Sequence, residues 1–373
     1  MTTDMKLIEA FAFSAPIICA VICMVMMLMD ARASLHNPLE KRLRTFLALA
    51  YLVSSLGWLG MVFYVLSPRT FASYYTVFIL ALMLDQVMIY RFVSLITNTG
   101  GRRKFNRLHL VIPLFLTAVS VVNAILVPVE QQVRLIYNDT GSDTWFRITY
   151  ITTTILFVVY NSLYPALNLR NIHRYRLFIV NYSADAYSTS LGWLTFIQIL
   201  ILITVPLPLA GLLIGIPATA ISYLVLLGAL SYFINYLILC YNLLNNNYLI
   251  IQTDTAEPDM PAVATPLDRK HFERYLRDKK PYLDPKLRIT DLVTVLHTNR
   301  SYLSSFINKE YNMNFCSLIN SCRLEELDRL RLQSSNAEKN NMDLVLMAGF
   351  SSYRSYLRAK SEQDEMRLLK VFE

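Results

Sequence analysis

ALSYFINYLILCYNLLNNNYLIIQTDTAEPDMPAVATPLDRKHFERYLRDKK, residues 229–280, holds no charged side chain before Asp254 and twelve from there on. An apolar, membrane-type sequence stops here and a charge-rich one of about a hundred residues begins. The chain therefore reads as two parts built for two solvents.

Working back from residue 245, seven apolar stretches of about twenty residues recur. A helix rising 1.5 Å per residue needs about that many to cross the hydrocarbon core. Their approximate cores are Ala10–Leu28, Phe46–Leu66, Tyr74–Ile96, Leu110–Val129, Ile148–Leu167, Leu191–Leu213 and Ala218–Cys240. Segments such as Ile17–Leu28 and Leu200–Ile216 are apolar all round, which a soluble amphipathic helix is not. A hydrophobic share of 54%, a mean hydropathy of +0.38 and 17% charged residues exclude an ordinary soluble enzyme of this length.

Orientation follows from Lys and Arg, which accumulate in cytoplasmic loops. Arg32, Lys41, Arg42, Arg44, Arg102, Arg103, Lys104, Arg107, Arg170, Arg174 and Arg176 fall on one side, against Lys6, Arg69, Arg134 and Arg147 on the other. Eleven against four places the N-terminus outside and the C-terminal part in the cytoplasm, in an inner (cytoplasmic) membrane. The positive charge follows the first apolar stretch, opposite to the order in a cleaved signal peptide. The longest outer loop, Glu130–Phe146, is too short for an external ligand domain. The signal is therefore expected through the membrane, this loop or another membrane protein.

Cys19, Cys23, Cys240, Cys316 and Cys322 form no CxxC pair and have no histidine cluster nearby, so neither a disulfide nor a metal site is expected. Ionisable groups inside spans are costly and mark candidate sites. Asp85 sits near the middle of the third span, followed by Gln86, and both are candidates for sensing the signal. The competing reading has Asp85 hydrogen-bonded to Asn123, Asn161, Gln198 or Asn235 on another helix. Arg91 lies nearer the cytoplasmic end and can snorkel to the interface.

Beyond the spans, residues 246–266 read as a linker, with Gln252–Pro266 carrying three prolines and three acids and no periodicity. Amphipathic helices follow from Leu267. Arg288–Thr298 places Ile289, Leu292, Val293 and Leu296 on one side. Asn299 then caps Arg300–Tyr311, whose buried face is expected to be Tyr302, Leu303 and Phe306. Two short helices joined by a tight turn match a helix-turn-helix, whose second helix enters the major groove. The exposed side of that second helix carries Arg300, Ser301, Ser304, Ser305, Asn308 and Lys309, all able to donate to phosphates or base edges. A longer helix, Phe315–Leu332, leads to what reads as a second unit. Met342–Met347, a turn at Ala348-Gly349-Phe350 and a helix Ser351–Glu362 follow, with Ser352, Arg354, Ser355, Arg358 and Lys360 on its outer side.

The segment KPYLDPKLRITDLVTVLHTNRSYLSSFINKEYNMNFCSLINSCRLEEL, with LVLMAGFSSYRSYLRA after it, resembles the C-terminal DNA-binding domain of AraC/XylS-type transcription regulators. The resemblance covers about residues 267–362. It implies two helix-turn-helix units joined by a long helix, with Leu292, Leu303, Phe306, Phe315, Ile319 and Phe350 in the core. It also implies that Arg300, Ser301, Ser304, Ser305, Ser352, Arg354, Ser355 and Arg358 face DNA. Three departures stand out: Val345 for the usual alanine, Asn312 for the usual glycine, and KSEQDEMRLLKVFE in place of the usual ending. The spans resemble no known family.

Residues 267–373 hold nineteen Lys and Arg against fifteen Asp and Glu. Phosphate neutralisation scales with basic contacts, so a weakly binding monomer is expected, helped by dimerisation or by clustering in the membrane plane. No HExxH, phosphate-binding glycine loop or GxSxG occurs, and Gly100-Gly101 reads as a turn. The expected protein is all-α, with a seven-helix transmembrane sensor (1–245), a linker (246–266) and a cytoplasmic domain with two helix-turn-helix units (267–373). It needs no cofactor and is no enzyme. Its expected partners are double-stranded DNA, the bilayer and an unknown signal or membrane protein. The alternative keeps the membrane part and turns the helix-turn-helix domain into a protein-interaction module.

Overall fold

The computed structural model describes residues 3–33, 38–99, 105–138, 144–186, 189–208, 218–249, 251, 267–336 and 338–371. Gly100-Gly101, the basic run Arg102–Lys104, Asp139 and Asp143 of the outer loop, and the linker Gln252–Pro266 lie outside the described residues. So does the end of the sixth apolar stretch.

The described regular structure is helical, with fourteen α-helices and no strand. They are α1 (Thr3–Ala33), α2 (Pro38–Leu66), α3 (Pro68–Ile96), α4 (Val111–Leu126), α5 (Val129–Asn138), α6 (Thr144–Ile179), α7 (Gly192–Thr204) and α8 (Ala218–Leu244). In the charged part follow α9 (Arg269–Lys279), α10 (Ile289–Val295), α11 (Arg300–Tyr311), α12 (Phe315–Leu332), α13 (Asn341–Met347) and α14 (Tyr353–Val371).

Five described helices are long and apolar enough to cross a membrane: Lys6–Ala33, Pro38–Leu66, Pro68–Ile96, Arg107–Leu126 and Tyr223–Leu244. They are compatible with a multi-pass membrane protein. Large apolar side chains such as Phe11, Met29, Ile125 and Leu126 stand open on their surfaces, as a lipid-facing helix requires. Two of the seven expected spans do not meet this standard. The stretch Ile148–Leu167 lies inside the 36-residue α6, where Thr152, Thr153, Thr154, Asn161 and Ser162 dilute the apolar run. In the stretch Leu191–Leu213 the described helix α7 has 13 residues, about 20 Å of rise. The structure also adds a helix where the sequence reads as outer loop: α5 starts just after Pro128 and buries Leu135.

The chain divides into two compact units: unit 1 is Met1–Asn98, Arg102–Ile172 and Leu191–Ile250, and unit 2 is Thr99–Gly101, His173–Ser190 and Ile251–Glu373. In unit 1, α2 packs along α3 because Gly57 and Gly60 offer no side chain to Leu82 and Phe78, which lie against them. Small residues at such crossings let apolar helices approach where no hydrophobic drive separates protein from lipid. A second cluster joins Phe71, Tyr75, Ile79 and Met83 of α3 to Leu116 of α4 and Tyr160 and Tyr164 of α6. Arg44, counted above as a loop charge, is 3% exposed within α2. It pairs with Asp30 at 2.6 Å and Glu40 at 3.3 Å and donates to Asn246 at 3.0 Å. A buried guanidinium is tolerable only with such partners.

Unit 2 is built on α12, whose Phe315 and Ile319 are fully buried. Around its C-terminal half, Leu324, Leu327 and Leu330 meet Leu344, Val345, Ala348, Phe350, Tyr356 and Ala359. The sequence assigns unit 2 to the C-terminal part alone, whereas the structure includes His173–Ser190, from the end of α6 and beyond.

Candidate nucleic-acid interface

Local sequence explains the first helix pair of unit 2. Asp291 accepts from the Arg288 backbone N–H at 2.7 Å and so closes the start of α10. Leu296–Asn299 turns the chain, with His297 in the left-handed region at φ 49°. Asn299 then caps α11, its side-chain oxygen accepting from the Tyr302 N–H at 2.8 Å. At the other end Asn312 adopts φ 51°, the left-handed stop that glycine usually supplies. Asn312 thus supplies this stop without a glycine.

The buried stripe of α11 is Leu303 and Ile307, both fully enclosed, rather than the expected Tyr302, Leu303 and Phe306. Four-residue spacing centres the stripe on those two. Phe306 and Tyr302 flank it half-buried, Phe306 lying edge-on to Phe272 with ring centroids 5.6 Å apart. On the outer side Ser301, Ser305, Asn308 and Lys309 are exposed, and Arg300 and Ser304 are half-exposed. The six candidates share one face.

The second pair, α13 and α14, has the same build. Asn340 caps α13 by accepting from Asp343 N–H at 2.8 Å. Gly349 turns the chain at φ 94°, and a Cβ there would collide with the Tyr282 carbonyl oxygen and sit 2.7 Å from Leu283 Cα. Only glycine fits. Arg354, Arg358 and Lys360 are exposed, whereas Ser355, expected on that outer side, is buried. The reason is local: Ser352 Oγ accepts from Ser355 N–H at 3.2 Å, and Ser355 Oγ accepts from Ser352 N–H at 3.2 Å. The two hydroxyls cap the start of α14. Its outer side is therefore more basic and less hydroxylic than the sequence suggests.

The segment after α6 is stitched into the first pair by its backbone. Ala184 N–H donates to Leu287 O at 3.0 Å, Ile289 N–H to Tyr182 O at 2.9 Å, and Cys316 N–H to Val180 O at 2.9 Å. Arg323, 1% exposed, holds the seam. Its guanidinium donates to Tyr282 O at 2.7 Å, Asp284 O at 2.8 Å, Ala184 O at 3.2 Å and Asn320 Oδ1 at 3.2 Å. Burial lowers its basicity from the ordinary range. Beside it, burial pushes the Cys316 thiol up to about 12, which leaves it an inert packing group. Burial alone would raise Glu326, but the hydrogen bond from Lys280 at 2.7 Å and the charge of Arg329 hold it below its usual 4.5.

Leu177, Phe178 and Asn181 line, with Arg300, Ser301, Ser304, Ser305 and Asn308, a cavity of about 480 Å³. The Arg300 guanidinium lies 4.8 Å from the centre of the Phe178 ring. Sequence periodicity carries no trace of this contact, because its two sides are more than a hundred residues apart.

In unit 1, Asp85 and Gln86 are 3% and 2% exposed. Asp85 takes its hydrogen bond from Ser54 of α2, not from the four amides considered above. Of those, Asn123 donates to Thr149, Asn161 to Phe157 O, and Gln198 accepts from Asn168. The Asn235 amide finds no hydrogen-bond partner among the described residues. Ser54 in turn shares a hydrogen bond with the Tyr236 hydroxyl, which also receives Trp58 Nε1 at 3.1 Å, while Gln86 donates to Tyr232 OH at 3.0 Å. The result is a polar knot tying α2, α3 and α8, with the carboxyl at its centre. No group of three or more His, Cys, Asp or Glu among the described residues is placed to hold a metal ion.

No family model, no curated protein and no solved structure matches this chain.

Proposed function

We propose that this is a membrane-bound, one-component transcription regulator whose unit 2 binds double-stranded DNA through two helix-turn-helix units. The observation that carries the reading is the repetition of one build. Two capped helix pairs, α10–α11 and α13–α14, hang on the shared helix α12, and each ends in a helix whose outer side is polar or basic. The resemblance to AraC/XylS-type domains over residues 267–362 supports the same reading. Arg300, Ser301, Ser304, Ser305, Asn308 and Lys309 would read or position the first half-site. Arg354 and Arg358 would do so for the second, with Ser352 and Ser355 shaping that helix start. The positive-inside count supports a cytoplasmic unit 2. The knot around Asp85 is the candidate for the bistable element that a signal biases.

The test is binding of the full chain in lipid nanodiscs to its own upstream duplex across a salt series. Arg300→Ala and Arg354→Ala should each weaken sequence-selective binding by about 1–3 kcal/mol, roughly five- to 150-fold. Binding that ignores salt and both substitutions would overturn the reading.

One observation favours a second reading, in which the helix pairs dock a protein without DNA: the polar face of α11 already holds a protein ring, Phe178, against Arg300. Salt-independent capture of a protein partner, lost on Arg300→Ala, would support it.

A further inference from the structure

We infer that residues 173–186, the end of α6 and the chain just after it, are a built-in cover for the DNA-reading face of α11, so that DNA binding requires this cover to move away. The inference rests on the DNA-binding reading of that face.

A helix with its side chains is about 10–12 Å across, and the major groove is about 12 Å wide. A reading helix therefore fills the groove and leaves no room for a second chain segment on the same face. Here five of the six candidate residues of α11 line a cavity whose other wall is Leu177, Phe178 and Asn181. Arg300, at the N-terminal end of the reading face, is held over the Phe178 ring at 4.8 Å, a favourable cation–π distance.

The cover is anchored and yet incompletely closed. Its downstream end is bonded to the backbone at Leu287, Ile289 and Cys316 and gripped by Arg323. Its upstream end is the end of the continuous helix α6, with Tyr175 and Ile179 buried and Leu177 61% exposed, and just beyond it Asn181 Oδ1 has no hydrogen-bond partner among the described residues. Opening therefore means that the end of α6 moves off α11 while the first helix pair keeps its fold. Phe178 also stacks on Tyr182, with centroids 5.6 Å apart, so displacing one ring draws on the other. The cover follows directly on the chain of unit 1 at Ile172 and returns to it at Leu191. A change in unit 1 thus has a covalent route to the reading face.

The experiment uses the full chain in nanodiscs with two readouts: affinity for the gene's own upstream duplex, and the rate at which Ser304→Cys is modified by a water-soluble maleimide in a Cys322→Ser background. Two openings are compared, Phe178→Ala and Leu177→Lys, the latter at an exposed position where a cation would repel Arg300. If the cover is closed nine-tenths of the time, either opening should tighten DNA binding by about tenfold and speed labelling, and Arg300→Ala should abolish the gain in affinity. DNA binding that is sensitive to Arg300→Ala but unchanged by both openings would leave the DNA reading standing and overturn the cover. Faster labelling without DNA binding in any variant would retain the cover and overturn the DNA reading. Neither effect would sink both.

Discussion

Arg323 donates to carbonyls from two turns and from the segment after α6, so its removal takes a hydrogen bond from three acceptors at once. Arg323→Ala should cost unit 2 about 2–4 kcal/mol, read as faster hydrogen exchange in α10 and α12 with α2 and α3 unaffected. Glu326 sets the acid limit. Its folded pKa lies below the ordinary 4.5, so its contribution is fully present above that value and is lost as pH falls through the folded pKa. Exchange in α12 should accelerate on acidification below about pH 4.5 in the native chain and much less in Glu326→Gln. At this scale the sequence is readable wherever a residue answers to its own helix. Leu292, Leu303, Phe315, Ile319 and Phe350 are buried as periodicity and resemblance imply. Ser355 is misread because a hydroxyl three residues from another caps a helix start rather than facing outward. Phe178 is missed because nothing local records its partner.

Elements were legible where capping and period agree, and Arg300–Tyr311 and Phe315–Leu332 have the bounds that the sequence predicts. The boundaries fail where two rules compete. Pro128 ends one apolar run and starts the short α5, while polar residues within α6 leave a long helix short of a clear span. Between elements, the turn before α14 brings Gly349 against the Tyr282–Leu283 backbone. Gly349→Ala must accommodate both a left-handed φ and a collision with backbone that cannot rotate aside. A loss of about 2–4 kcal/mol is expected, seen as early exchange of α13 and α14 while α11 stays protected. Equal loss in both pairs would mean that they are one cooperative block.

For the whole molecule, the sequence divides the chain near residue 250, whereas unit 2 draws on chain from both sides of that point. Composition could not disclose this, because His173–Ser190 is joined to unit 2 largely through backbone hydrogen bonds, which any residue can make. A fragment starting at Leu267 lacks Val180, Tyr182 and Ala184. It should therefore leave Cys316 N–H and Ile289 N–H without their partners and take from Arg323 Nη1 one of its two acceptors. Such a fragment is expected to melt at a lower temperature than one carrying a co-expressed 173–190 peptide, and equal melting would show that the seam is dispensable. The seam also decides what a protease could accomplish. A domain tethered by a single strand of chain is freed by a single cut, whereas after a cut between residues 252 and 266 the C-terminal piece would still be held to the chain after α6 by hydrogen bonds. Under the proposed function, a cut linker would set the DNA-binding part free only as fast as that seam comes apart.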